Sequence, residues 1–319
     1  MHDRRARRAH ARAPGTLITF EQGGRPCPVC GSTDARVFVE ARFEQSELDS
    51  MSFSSRKVPE GLYHRLLECA RCDLLYASPV PTFESLTDAY RQADYASGEE
   101  ARYAAATYGK VVETIAPQLP DLRGAADIGA GDGAFLERLR YAGFEETVGF
   151  EPSEAPLAAA PASVRNAIRP EPFSAGVLPD ESFTLISCMQ TIEHVLDPLD
   201  VCRDAVRALA PNGALLIACH DRRALTARVL RQRSPIFDIE HVQLFSPRSM
   251  RALLGAVGLE RVDVRPLRNR YPLRYWLQLA PLPESVKAPL RRLLSTGRFI
   301  DRPVSLGVGN LVAVGYKPA

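Results

Sequence analysis

The chain has 319 residues, 45% of them hydrophobic and 24% charged, with a formal net charge of +2. That composition excludes a disordered chain, a collagen and a disulfide framework, and no apolar run approaches the roughly 20 residues of a membrane-spanning helix. No apolar stretch follows the basic start in the manner of a signal peptide, so the expectation is a cytoplasmic protein whose seven cysteines stay reduced.

Charge is uneven along the chain. Residues 1–13 carry Arg4, Arg5, Arg7, Arg8 and Arg12 against Asp3, and residues 265–319 carry ten Lys/Arg against Glu284 and Asp301. Residues 14–264 are therefore left at −10. A protein that tracks a polyanion carries its positive charge across its folded body, so this acidic body argues against nucleic acid. Residues 1–22 read as a flexible basic leader.

Residues 23–80 hold two CxxC pairs, Cys27/Cys30 and Cys69/Cys72, with 38 residues between them. Each knuckle turns two thiolates toward one centre, and two knuckles make a tetrahedral four-sulfur set suited to structural Zn²⁺. The separation requires an internal hairpin, expected from residues 35–40 and 63–67, so this region reads as a zinc ribbon. Neither pair opens a helix after a strand, which disfavours a thioredoxin-like redox role. Cys188, Cys202 and Cys219 lie in apolar strands or helix faces and read as core.

Residues 81–120 read as a helical cap. From residue 121 short apolar strands alternate with helical stretches, the mark of βαβ units and a parallel sheet. Strands are expected at 125–128, 147–150, 183–189, 214–219, 261–265 and 310–316, with helices at 133–142, 154–160, 197–210, 222–231 and 246–257. The fold class is α/β: a doubly wound, Rossmann-like, mostly parallel sheet over 121–267, completed by a last strand in 310–319. Between them, residues 268–309 read as a basic, aromatic lid. Its Arg268, Arg270 and Arg274 suit the phosphates of an anionic acceptor, and its amphipathic 287–294 stretch suits peripheral contact with a membrane. An insertion that merely packs the sheet edge fits the pattern equally.

A glycine loop, Asp127-Ile128-Gly129-Ala130-Gly131-Asp132-Gly133, follows the first strand of the sheet and opens a helix. Glycines let a ligand approach the backbone closely, and Glu151, after the next strand, is placed to accept hydrogen bonds from a ribose diol. Gly129, Gly131 and Ala134 also satisfy a relaxed dinucleotide fingerprint. Asp127 discriminates: its carboxylate repels a pyrophosphate and welcomes a ligand bearing an ammonium, such as S-adenosylmethionine.

These residues, with Phe183-Thr184-Leu185-Ile186-Ser187 and Ile192-Glu193-His194-Val195-Leu196-Asp197-Pro198, resemble the class I S-adenosylmethionine-dependent methyltransferases over about residues 100–264. With the cysteine pairs in front, the chain resembles the zinc-ribbon-bearing methyltransferases of bacterial carbohydrate and secondary metabolism. The resemblance implies that Asp127, Gly129, Ala130, Gly131, Gly133, Glu151, Pro152 and Met189 hold the cofactor.

Methyl transfer to a hydroxyl or carbon acid needs a base, and histidine is the natural one. His194 follows a strand, and His241 sits beside Glu240. This second group resembles the deoxysugar C-methyltransferases, where a Glu-His pair holds the substrate and supplies the base. Glu240 and His241 acquire those roles by resemblance, with His194 assisting, although Asp238 stands where that family carries a tyrosine. Each histidine fits a helix cap or a loop anchor nearly as well. The expected activity is O- or C-methylation of a small-molecule acceptor, sugar-containing (a sugar nucleotide, for instance) or otherwise anionic. The alternatives are an RNA methyltransferase with a zinc module and a non-enzymatic scaffold.

Overall fold

The hairpin that the cysteine spacing demands is formed by β1 (Ala35–Val39) and β2 (Leu66–Cys69), antiparallel with Ala35 opposite Cys69. Each knuckle turns through a left-handed residue, Gly31 and Asp73, both at φ 68°. Their N–H groups donate to the Cys27 and Cys69 carbonyls. Four sulfurs converge as a result: Cys27 to Cys72 and Cys30 to Cys69 are each 3.5 Å. This computed structural model describes residues 17–48, 52–54, 61–95, 98–280, 282–295 and 299–319. The arginines expected to form the basic leader lie outside the described residues.

After β3 (Leu75–Ala77) come α1 (Phe83–Arg91) and α2 (Gly98–Ile115). The alternating region then runs β4 (Gly124–Ile128), α3 (Ala134–Tyr141), β5 (Glu146–Phe150), α4 (Glu154–Ala159), α5 (Ala162–Arg165), β6 (Ile168–Arg169), β7 (Phe183–Met189) and α6 (Pro198–Ala208). It continues with β8 (Leu209–His220), α7 (Leu225–Leu230), β9 (Gln243–Leu244), α8 (Pro247–Ala256), β10 (Glu260–Pro272), α9 (Leu273–Leu279), α10 (Glu284–Ser295) and β11 (Pro303–Tyr316). Local chemistry explains the helix starts. Thr82 Oγ1 accepts the Ser85 N–H at α1, Asp197 caps α6, and Ser246 with Ser249 forms a capping box at α8.

Seven strands order as β10-β11-β8-β7-β4-β5-β6. Strands β8, β7, β4, β5 and β6 are parallel, and β11 is antiparallel to both of its neighbours. Every residue of β7 is buried, as expected where both faces of a parallel sheet are covered. The chain runs outward from β4 to β6 and then crosses back to β7. The reversal lies between β4 and β7, and a ligand crevice opens beyond their carboxyl ends.

β9 belongs to neither edge of this sheet. It adds to β3, with Leu75 opposite Leu244 and Tyr76 opposite Gln243, and becomes the fourth strand of the cysteine module. The cysteine module therefore shares its core with the catalytic half: Tyr63, Leu66, Leu75 and Ala77 pack with Ile236, Phe237, Val242 and Leu244. An ion cluster centred on the buried Glu68 and Arg222 seals the seam. Glu68 takes hydrogen bonds from Arg36 (2.6 Å), Arg222 and Arg223, and Arg223 also pairs with Asp73. Burial opposes the charges of Glu68 and Asp73, yet the guanidinium bonds hold both carboxyls below their ordinary values.

The expected lid over 268–309 is smaller than its sequence suggests. β10 and β11 stay paired through Tyr271 opposite Val304 and Pro272 opposite Pro303, so the chain leaves the sheet only between them. Tyr271, Tyr275 and Trp276 cluster against Tyr103 and Leu306, and Trp276 Nε1 donates to the Val304 carbonyl. Arg274 is spent on Glu99 and Asp301, and Arg268 on the Ser305 carbonyl. No helix among the described residues is long and apolar enough to cross a membrane.

Removing Glu68 takes one carboxylate from Arg222, whose side chain is 3% exposed, and leaves it Asp73 at 3.4 Å. Glu68→Ala should lower stability by about 2 kcal/mol, the worth of its charged hydrogen bonds, read from the midpoint of guanidinium unfolding. A change below about 0.5 kcal/mol would show that the seam does not bear on folding.

Candidate active site

The loop after β4 turns through three left-handed glycines, and two of them explain themselves. A Cβ on Gly129 would stand 2.2 Å from Thr191 Oγ1, so this glycine lets the β4 and β7 loops meet at the reversal point. A Cβ on Gly131 would meet nothing within 4 Å, because the residue faces open space. That space is a cavity of about 960 Å³.

Asp127, Gly129, Ala130, Gly131, Glu151, Pro152 and Met189 all line it. Gly133 does not. It starts α3 at φ 80° with Val164 and Ile168 beside it, and serves the helix rather than a ligand. Glu151 is fixed at the end of β5: Gly131 N–H donates to its Oε2 (3.0 Å) and Ser153 N–H to its Oε1 (2.8 Å). Each oxygen keeps a lone pair for a further donor, which fits the hydroxyls of a ribose. Pro172 and Phe173 line the same end, and no carboxylate from 171–180 does. Asp127 is 1% exposed, with Ser187 Oγ 2.7 Å from its Oδ1. Burial pushes its carboxyl up to about 8. An ammonium arriving beside it reverses that trend and draws the ionised form.

The opposite end of the cavity is built from histidines. His194, His220 and His241 all line it, and the His241 ring lies 4.9 Å from each of the other two. His241 Nδ1 donates to the Ile236 carbonyl at 2.8 Å, which leaves Nε2 as the ring's lone pair. Burial, then the charge of His220, lowers its pKa. His194 Nδ1 lies 2.7 Å from the Tyr90 hydroxyl, which donates to the Glu240 carbonyl at 3.2 Å. Burial first, and the neighbouring His241 second, bring His194 down to about 3. Tyr90, from α1, thus supplies a phenol to the cluster although Asp238 stands where a tyrosine was expected. Glu240 lines the cavity as well.

Two members of this end were not anticipated. His220 closes β8, and Glu193, with no exposed surface, accepts both its Nδ1–H (2.8 Å) and its backbone N–H (2.9 Å) through one oxygen, Oε1. Burial opposes the charge on Glu193, but His220 and the other imidazoles hold its carboxyl down to about 2. His220 was findable, since it ends a strand at the reversal side of a parallel sheet, where ligand groups gather.

Residues 100–264 match the family described as the methyltransferase domain. The chain belongs to that family. It is 27% identical over 165 residues to the ubiquinone biosynthesis O-methyltransferases of Pseudomonas putida (strain W619) and Pseudomonas aeruginosa (strain LESB58), covering 46% of this chain and 71% of each relative. Among solved structures, an S-adenosylmethionine-dependent methyltransferase from Thermotoga maritima aligns at 22% identity and a TM-score of 0.47, over 69% of this chain and 92% of its own. One from Archaeoglobus fulgidus aligns at 14% and 0.46, over 74% and 100%. This methyltransferase uses S-adenosylmethionine, which supplies an electrophilic methyl group on a sulfonium when bound.

Asp127 is raised in the folded protein, so its ionisation costs stability. The cost appears as pH climbs from about 4 toward about 8. Asp127→Asn should therefore raise the urea midpoint at pH 8 and weaken S-adenosylmethionine about 10–100-fold in calorimetry, the worth of one charged hydrogen bond. Unchanged affinity would remove Asp127 from the cofactor site.

Proposed function

We propose that this methyltransferase O-methylates an uncharged, hydroxyl-bearing acceptor with a bulky apolar or aromatic body, and that a structural zinc ion ties its four cysteines. The lining of the cavity carries the first part. Its acceptor side offers Phe53, Tyr90, Tyr108, Tyr271, Tyr275 and Trp276. Among the described residues that line it there are ten Asp and Glu and no Lys or Arg. A phosphate-bearing acceptor finds no counter-charge there, and Arg268, Arg270 and Arg274, expected to provide one, are absent from the lining. The relatives' printed role in ubiquinone biosynthesis, as O-methyltransferases, agrees with an apolar hydroxylated acceptor. A sugar acceptor stays compatible only if it arrives without its phosphates.

Asp127, Glu151 and the backbone of Gly129 to Gly131 would hold the cofactor. The chain's own residues then do the rest. The aromatic wall excludes water from the acceptor and fixes its orientation. His241 and His220 receive the acceptor hydroxyl, and His194 takes its proton, its ring held by the Tyr90–Glu240 relay. Glu240 contributes through the same relay, its carbonyl fixing the phenol that holds His194. For the cysteines, the 3.5 Å sulfur separations support the metal reading, since thiolates on a tetrahedral zinc at 2.3 Å stand about 3.8 Å apart.

Methyl transfer from labelled S-adenosylmethionine separates the acceptor readings. Label should enter a 4-alkylcatechol and not a nucleoside-diphosphate sugar; the reverse preference overturns the proposal. His194→Gln should lower kcat about 10²–10⁴-fold with the cofactor Kd unchanged. Metal analysis should find zinc, and Cys72→Ser should release it; a full-length protein that folds metal-free would refute the zinc ribbon.

A further inference from the structure

We propose that Glu193, His220 and His241 form a second metal centre, a two-histidine, one-carboxylate site for a borderline divalent cation at the histidine end of the cavity. The inference rests on the O-methyltransferase reading only for its purpose, not for its geometry. One ligand atom from each residue lies within 4.8 Å of the other two. Glu193 Oε1 and His220 Nδ1 are 2.8 Å apart, a little under the roughly 3.0 Å between neighbouring ligands on an octahedral metal at about 2.1 Å, and within about 0.6 Å of the tetrahedral spacing of about 3.4 Å. The contact is the proton-filled form of the site, and a cation takes the place of that proton.

Two further observations point the same way. Glu193 Oε2 is buried and has no hydrogen-bond partner, and the residue has no exposed surface. An acceptor left unsatisfied inside a protein is costly unless something binds it, and a carboxylate that chelates through both oxygens satisfies it. His241, for its part, donates Nδ1–H to the Ile236 carbonyl, the backing that holds a ligating imidazole in one tautomer and orientation.

The three ligands are also locked to one another through the backbone. The Glu193 carbonyl accepts from Val242 N–H (3.0 Å) and Gln243 N–H (3.3 Å), next to His241, while its carboxylate accepts from the His220 N–H. Gln243 Nε2 donates to the Ile192 and Val195 carbonyls on either side of Glu193, both at 2.7 Å. A site so braced needs little rearrangement to bind. Imidazole and carboxylate together suit Zn²⁺, Fe²⁺, Co²⁺ or Mn²⁺ and leave coordination positions open. In a cavity that, among the described residues, is lined by carboxylates and by no Lys or Arg, the cation supplies positive charge. An acceptor hydroxyl bound at an open position gives up its proton more easily. That proton passes to His194, the methyl–sulfur bond breaks, and the oxygen–methyl bond forms.

Cobalt distinguishes the two centres without any acceptor. Full-length protein stripped of metal and titrated with Co²⁺ should bind two equivalents, one with sulfur-to-metal charge-transfer absorption and one without. Glu193→Gln and His220→Gln should each lose the second and keep the first, with S-adenosylmethionine affinity from calorimetry reporting that the fold survives. Binding of a single equivalent, or a second that persists in both variants, overturns the site. Methylation of a 4-alkylcatechol at the full rate by protein holding only the cysteine-bound metal also overturns it, while leaving the O-methyltransferase proposal intact. No methylation of that acceptor at any metal content counts against the acceptor proposal instead, and the cobalt stoichiometry still decides the site.

Discussion

The pairing of β3 with β9 is the contact on which the active site depends. β9 begins two residues after His241, and β3 begins three residues after Cys72. Three residues on β3 and two on β9 therefore join the end of the cysteine module to the loop that carries a candidate catalytic histidine. The Ala77 N–H donates to the Val242 carbonyl at 2.7 Å, and Arg222, two residues beyond His220, is pinned to the Asp73 carbonyl at 3.0 Å. The His220 and His241 loops of the cavity are thus anchored within a few residues of the second cysteine knuckle. A short strand pair has little stability of its own; here it borrows rigidity from a shared apolar core and the ion cluster around the buried Glu68 and Arg222.

Electrostatics divides the cavity into two ends. At the glycine loop a buried carboxylate that resists ionisation waits for a cationic ligand, which is the natural partner for an ammonium-bearing sulfonium cofactor. Histidines dominate the other end, where imidazoles hold one fully buried carboxyl below its ordinary value. Acidic lining throughout favours positive or neutral molecules. Among the described residues, no basic side chain of the C-terminal segment lines this space: Arg274 is neutralised by Glu99 and Asp301, and the lid turns aromatic rings inward instead.

Much of this was legible in the chain. β7 was readable to the residue because seven consecutive apolar or small residues bounded by polar turns leave one interpretation, and the glycine loop carries its acidic partner at fixed distance. The cysteine pairs announced their convergence, and the hairpin between them followed from chain length. β9 was not legible, because two residues have no period and the partner strand lies far away in sequence. Glu193 was in view as part of a recognised motif, yet its role depends on where His220 ends up, and only the sheet register brings them together. The extent of β10 and β11 was underread since their alternating charged and apolar residues continue past the compact sheet into an exposed hairpin. Arg268, Arg270 and Arg274 looked like a phosphate clamp because charge counts do not reveal which partners a side chain has already found.

Hydrogen exchange read by mass spectrometry, on the full chain before and after chelation of the zinc proposed for its four cysteines, tests the dependence of the candidate active site on the cysteine module. The account predicts that amides at 236–245 lose protection together with those at 66–77, while β4 and the glycine loop keep theirs. Deprotection confined to the cysteine module, with 236–245 unchanged, would contradict it.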